Sequence, residues 1–194
     1  MANNTDHLNW IIFVKNGLSS YFKDHPDVFV AGDLLWYPVM GRPDICVAPD
    51  AMVAFGRPRD GRRGSYKQWE EGGIAPQVVF EIISPGNTGT EMMRKLKFFH
   101  RYGVEEYYIY DCEEKQLFGY LFKGRLMEEI EEVVGWTSPR LGLRFELDAG
   151  GGLVLITPDG KMLESYAAVE ARAAKEAERA ERLAAKLREL GVEV

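Results

Sequence analysis

Apolar positions along the chain follow two periods in turn, and each change of period marks an element. Across residues 6–22, Leu8, Ile11, Ile12, Leu18 and Phe22 recur at helical spacing, which predicts an amphipathic helix covering a sheet. Residues 27–30 and 34–39 read as short strands around the turn Ala31-Gly32-Asp33, and 45–47 and 51–55 as two more. Residues 56–76 carry five glycines before Ile74 and no sustained period, so a long loop is expected there. An apolar run at 77–84 follows. Helical period returns over residues 89–102, with Thr88 and Glu91 spaced as a capping box and Gly103 as the stop. Strand patterns at 105–111, 116–122, 125–134, 143–147 and 153–156 complete an α/β chain with a mixed sheet flanked by helices. From about residue 163 to 190 the composition shifts to Ala, Glu, Arg, Lys and Leu, and Tyr166, Ala173, Ala180 and Leu187 recur at sevens. That pattern predicts a long C-terminal helix with a narrow alanine seam, free to pair with a copy or to project into solvent. The expected division is a domain over residues 1–160 and a helical arm over 161–194.

One residue breaks the pattern. Glu81 stands between Phe80 and Ile82 inside an apolar strand, where a carboxylate is costly to bury unless it is paired, hydrogen-bonded or metal-bound. On the helix that follows, Met92, Leu96, Phe98, Phe99 and Tyr102 share one side, with Lys95 near the middle of that stripe and Lys97 pointing away. If the stripe packs on the strand of Glu81, the Lys95 ammonium is drawn to the nearest carboxylates. Two Pro-Asp pairs compete to supply a second acid. Asp44 opens a strand as a turn residue does, whereas Asp50 precedes the apolar run 51–55.

Ala48-Pro49-Asp50, Val79-Phe80-Glu81-Ile82-Ile83-Ser84-Pro85 and the segment from Lys95 to Tyr107 together resemble the PD-(D/E)xK, or restriction-endonuclease-like, superfamily. Within it they resemble the Uma-type endonuclease family, catalogued as a domain of unknown function, over residues 9 to about 160. The superfamily pattern has a lysine two residues after the second acid, and this chain has Ile83 there. The resemblance implies that the lysine has moved onto the helix as Lys95. It further implies a hydrolase acting on nucleic acid, DNA first, with Asp50, Glu81 and Lys95 catalytic. Asp50, Glu81 and the backbone carbonyl of Ile82 would hold Mg2+, with Mn2+ as a substitute.

Composition adjusts this picture at three points. A net charge of −6 argues against indiscriminate nucleic-acid binding, yet Arg57, Arg59, Arg62, Arg63 and Lys67 crowd one loop, and Arg94, Lys95, Lys97 and Arg101 crowd one helix. Arg57, Arg62, Arg63, Lys67 and Lys97 are thus candidate substrate contacts on a basic rim, with a plain solvated loop as the equal alternative. In the same loop Tyr66 and Trp69 either stack on bases or anchor the loop to the core. Two cysteines, Cys46 and Cys112, sit beside apolar runs and suggest buried thiols rather than a disulfide framework. With no apolar run long enough for a signal or a membrane span, a cytoplasmic protein is expected. His7 and His25 have no second histidine or cysteine at ligand spacing and read as surface or capping residues. Cutting both strands of a duplex favours a homodimer, because two sites must face two strands. A non-catalytic binding or assembly module on the same fold is the alternative, motivated by Ile83 and the acidic net charge. A carboxylate pair for glycoside hydrolysis is the third, weakened by Lys95 in the same stripe and by the lack of a sugar-binding aromatic array.

Overall fold

The structure, a computed structural model, describes residues 5–83, 86–163 and Arg182. The expected C-terminal helix therefore lies outside the described residues apart from Leu163 and Arg182, as do Ser84 and Pro85 of the second motif. Helix α1 (Thr5–Tyr21) opens the chain, followed by strands β1 (Val28–Ala31), β2 (Trp36–Tyr37), β3 (Ala51–Phe55), β4 (Tyr66–Lys67) and β5 (Val78–Ile83). Helix α2 (Gly89–Tyr102) comes next, then β6 (Glu106–Asp111), β7 (Gln116–Lys123), β8 (Leu126–Glu129), β9 (Arg144–Leu147) and β10 (Leu153–Ile156).

Among the described residues the main sheet has six strands in the order β1-β3-β5-β6-β7-β8. Only β5 and β6 pair in parallel, because α2 carries the chain back between them; the other neighbours are antiparallel. The fold is mixed α/β, as the patterning predicts.

Each face of this sheet has its own core. Alternation along β5 sends Val78, Phe80 and Ile82 toward α1 and the β9–β10 hairpin, with Phe13, Val14, Leu18, Tyr108, Phe145 and Leu155. Val79 faces the other way, against Leu96 and Phe99 of α2, Trp36, Tyr66 and Tyr107. Burying each such side chain contributes about 1.5–3 kcal/mol, so the two layers clamp β5 from both sides.

Helix α2 starts and stops where its caps stand. The Thr88 side chain accepts from the Glu91 N–H at 3.2 Å, and Gly103 takes a left-handed φ of 100° while its N–H returns to the Phe99 carbonyl. A Cβ at Gly103 would also meet Ala75 at 3.3 Å, so both its conformation and its space call for glycine.

Other expectations need correction. Residues 45–47 form no strand and contribute only a bridge between Val47 and Trp36, because Arg42-Pro43-Asp44 holds the segment in turns. Within 56–76, Tyr66–Lys67 pairs in parallel with Trp36–Tyr37, so the loop is stitched to the sheet's flank. Of residues 125–134 only Leu126–Glu129 is strand. On α1 the buried side carries His7, Phe13, Val14 and Leu18, while Leu8 and Ile12 are 45% and 40% exposed. Cys46 and Cys112 are free thiols, and Cys112 Sγ donates to the Ile83 carbonyl at 3.3 Å. Among the described residues no helix is long and apolar enough to cross a membrane.

Candidate functional site

Sheet register brings the two acids together. Ala51 pairs with Phe80 in the antiparallel β3–β5 ladder, and one step further the same register sets Asp50 opposite Glu81 on the α2 side. The ladder ends there, and the Asp50 carboxylate replaces a main-chain partner by accepting the Ile82 N–H on Oδ2 at 2.8 Å. The backbone behind it is tightly held. Asp33, in the left-handed region at φ 48°, donates its N–H to the Pro49 carbonyl at 3.0 Å, which is a turn role. A Cβ at Gly32 would stand 3.0 Å from the Asp50 carbonyl and 2.9 Å from Lys15, so only glycine permits this approach. The rival Asp44 is 61% exposed and pairs with Arg42 at 2.6 Å, away from this point.

Glu81 is 1% exposed and receives Lys95 Nζ on Oε2 at 2.7 Å, since the α2 stripe lies over β5. Its Oε1 is buried, receives no backbone, amine or alcohol donor among the described residues, and the Glu81 carboxyl lies in hydrogen-bond contact with that of Asp50. A second buried glutamate shows how unusual that is. On the opposite face Glu106 has both oxygens filled, Oε2 by the hydroxyls of Tyr108 and Ser138 and Oε1 by the Arg140 N–H at 2.7 Å. Glu106 is a structural clamp; Glu81 keeps an acceptor in reserve.

Charge follows from this crowding. Burial first, and then the neighbouring Asp50 carboxylate, push Glu81 up to about 8 against the pull of Lys95. Burial also raises Asp50, opposed by the Ile82 N–H and by Lys95 and His7. Burial works against the Lys95 ammonium, yet Glu81 and Asp50 outweigh it and hold it above its usual range. The cluster is short of positive charge.

Two residues near these acids escaped the sequence reading. His7, 4% exposed, bonds through Nε2 to the Ile82 carbonyl at 2.7 Å, which corrects its assignment to the surface. Its signal was present: His7, Ile11, Val14 and Leu18 follow a spacing of four, three and four. Tyr107 of β6 is fully buried, and its hydroxyl meets no partner among the described residues. Nothing local distinguishes it, because tyrosines stand on both faces of β6.

The candidate basic rim divides. Arg57 and Arg63 converge on Glu71, with Nε–O distances of 3.1 and 2.6 Å, and the Arg63 guanidinium lies 4.1 Å over the Phe29 ring. Tyr66 is buried and donates to the Ile74 carbonyl at 2.9 Å, anchoring the loop. Lys67 pairs with Glu70 at 3.0 Å, while Arg62 is exposed. Lys97 is exposed on α2 and lines a cleft of about 460 Å³ with Gly89, Thr90, Met93 and Arg94.

Whether a divalent cation fits is a question of donors. Among the described residues no group of three or more His, Cys, Asp or Glu side chains could hold a metal. What converges is two carboxylates, one with a spare oxygen, beside a carbonyl that retains a second lone pair when His7 uses the first. An all-oxygen, partly filled set suits a hard ion that keeps several of its waters, and the raised Glu81 and Asp50 mark where that charge is wanted.

A model of the Uma2 family, described as "Putative restriction endonuclease", matches residues 5–150. The chain is also similar to a solved structure from Anabaena variabilis ATCC 29413, titled as a putative nuclease belonging to DUF820. Identity to it is 17%, coverage is 72% of this chain and 75% of that one, and the TM-score is 0.53. That likeness concerns the fold. No curated protein matches the chain.

Proposed function

The chain belongs to the Uma2 family of restriction-endonuclease-like proteins, and from that premise we propose that it is a metal-dependent endonuclease hydrolysing DNA phosphodiester bonds. Asp50 and Glu81 are the metal ligands in this reading, joined by the Ile82 carbonyl, with Mg2+ as the ion and Mn2+ as its substitute. The observation that carries it is the fully buried Glu81 carboxyl held against that of Asp50, with one lysine, Lys95, between them and solvent.

When bound, the ion supplies Lewis-acid polarisation of the phosphate and a more acidic water. The protein's own part is orientation and charge. The Ile82 N–H fixes the Asp50 carboxylate, and His7 fixes the Ile82 carbonyl. Lys95, anchored on Glu81, presents its ammonium to orient the attacking water and to offset negative charge growing on the phosphate. Lys97 and Arg62, both exposed, serve as phosphate contacts in this reading; Arg57, Arg63 and Lys67 would contribute on release from Glu71 and Glu70. Residues 1–160 form the nuclease unit in this reading, and a cytoplasmic homodimer places two sites on two DNA strands.

The test is cleavage of supercoiled plasmid and of single-stranded DNA by purified protein with Mg2+ or Mn2+, against the same reaction in chelator. Cutting that depends on metal is expected. A protein that binds neither ion by calorimetry and cuts neither substrate is instead the non-catalytic module. Proton release adds a second check, because the ion needs Glu81 ionised while the free protein holds it near 8. Below that pH each ion displaces a proton, so Mn2+ affinity should climb from pH 6 to 8 by up to about tenfold per unit. A flat profile would mean that Glu81 is not a ligand.

A further inference from the structure

We propose that Tyr107 is a positioning residue of the acid site: its hydroxyl holds an ordered water that also hydrogen-bonds Oε1 of Glu81. The inference extends the reading above to a group outside the acid-and-lysine set, and it rests on that reading for its role toward the metal.

Register places the two residues together. Glu81 pairs with Ile109 and Val79 with Tyr107 in the parallel β5–β6 ladder, so Tyr107 is the diagonal neighbour of Glu81 on the same face. Such diagonal residues stand about 7–8 Å apart, within the reach of a tyrosine ring. Helix α2 covers both positions. Lys95 reaches Glu81, and one turn later Phe99 packs on the Tyr107 ring with centroids 4.9 Å apart. Tyr120 stacks against the same ring at 6.1 Å, so the ring has little freedom to turn away.

Among the buried tyrosines Tyr107 stands apart. Tyr66, Tyr108 and Tyr110, all buried, donate respectively to the Ile74 carbonyl, to Glu106 and to the Gly151 carbonyl at 2.9–3.0 Å. Tyr107, buried as deeply, donates to nothing among the described residues. Phenylalanine would fill the same space without stranding a hydroxyl. The acids lie within electrostatic reach of that hydroxyl: after burial itself, Glu81 and then Asp50 contribute most to raising it. A hydroxyl without an acceptor thus lies diagonal across the ladder from a carboxyl oxygen that receives no backbone, amine or alcohol donor among the described residues, and one water joins the two. Mg2+ and Mn2+ retain part of their hydration shell, and a water already held against Oε1 is pre-placed for it.

The test pairs wild type with Tyr107→Phe. High-resolution crystal structures without metal should show, in wild type, a water within about 3.2 Å of both Tyr107 Oη and Glu81 Oε1, lost in the variant. Mn2+ affinity by calorimetry should fall about tenfold in Tyr107→Phe, with an unfolding temperature equal to wild type or higher. Wild-type density without the water overturns the proposal, as does a variant that keeps full Mn2+ affinity. An unfolding temperature that drops in the variant while affinity holds assigns the hydroxyl a structural role and also overturns it. The crystallographic arm needs no metal, which separates the two readings. A bridging water in a protein that binds no Mn2+ supports the bridge and defeats the metal assignment, while Mn2+ binding without the water does the reverse.

Discussion

Replacing Glu81 with glutamine is expected to reduce metal-dependent DNA cleavage by about a thousandfold or more while the protein remains folded. A thousandfold is about 4 kcal/mol of barrier, within what a displaced or lost metal ion accounts for. The fold survives because glutamine matches the shape of Glu81 and can still accept from Lys95 on the oxygen that takes its bond at 2.7 Å. Stability should move the other way from activity. Glu81 in the folded protein sits near 8 against a usual 4.5, so the folded state keeps a proton that the unfolded chain releases. Raising the pH from 5 to 8 therefore costs wild type stability and leaves the glutamine variant unaffected at this position. Melting curves should show the variant gaining on wild type across that window by about 2–4 °C or more, equivalent to about 1 kcal/mol. Equal cleavage by both proteins, or a gap in melting temperature that does not change with pH, would remove Glu81 from the site.

Lys95→Met should separate binding from chemistry. The ammonium, 2.7 Å from Glu81 Oε2, competes with an incoming ion for that carboxylate and also supplies the donor nearest to the acids. Removing it leaves two buried carboxyls without their lysine, which a proton or a divalent cation can offset. Mn2+ affinity should hold or rise, while turnover falls by about 100- to 10,000-fold, the usual span for a group that moves or orients a proton. Calorimetry and single-turnover cleavage measure the two quantities independently. A variant that cleaves at the wild-type rate would show that a lysine carried on α2 has no part in the reaction.

Local pattern exposed much of this site and missed the rest for identifiable reasons. Helix α2 was legible to the residue, because Thr88 and Gly103 act within one turn of its ends. Lys95 could be placed near Glu81 because it stands on the apolar stripe that α2 turns toward the sheet, and a buried ammonium is drawn to a buried carboxylate. The buried side of α1 was misjudged. Leu8 and Ile12 drew the apolar face toward themselves, whereas packing rotates the helix so that His7 points in and they remain in solvent. The loop arginines illustrate another limit. Composition groups Arg57, Arg62 and Arg63 as one basic cluster, but Glu71, eight and fourteen residues downstream of two of them, takes up that pair and leaves Arg62 exposed. No periodic signal connects a loop residue to such a partner.

Elements, caps and the presence of an acid where an apolar residue belongs are properties of short stretches of chain, and the amino-acid order was sufficient for them. Meeting points are not. That Asp50 faces Glu81 follows from Ala51 pairing with Phe80, and that Tyr107 lies diagonal to Glu81 follows from Val79 pairing with Tyr107. Both registers are set by the two cores closing on β5 at once. A shift of one residue would turn every side chain to the opposite face and scatter the site, so its geometry belongs to the packed sheet as a whole.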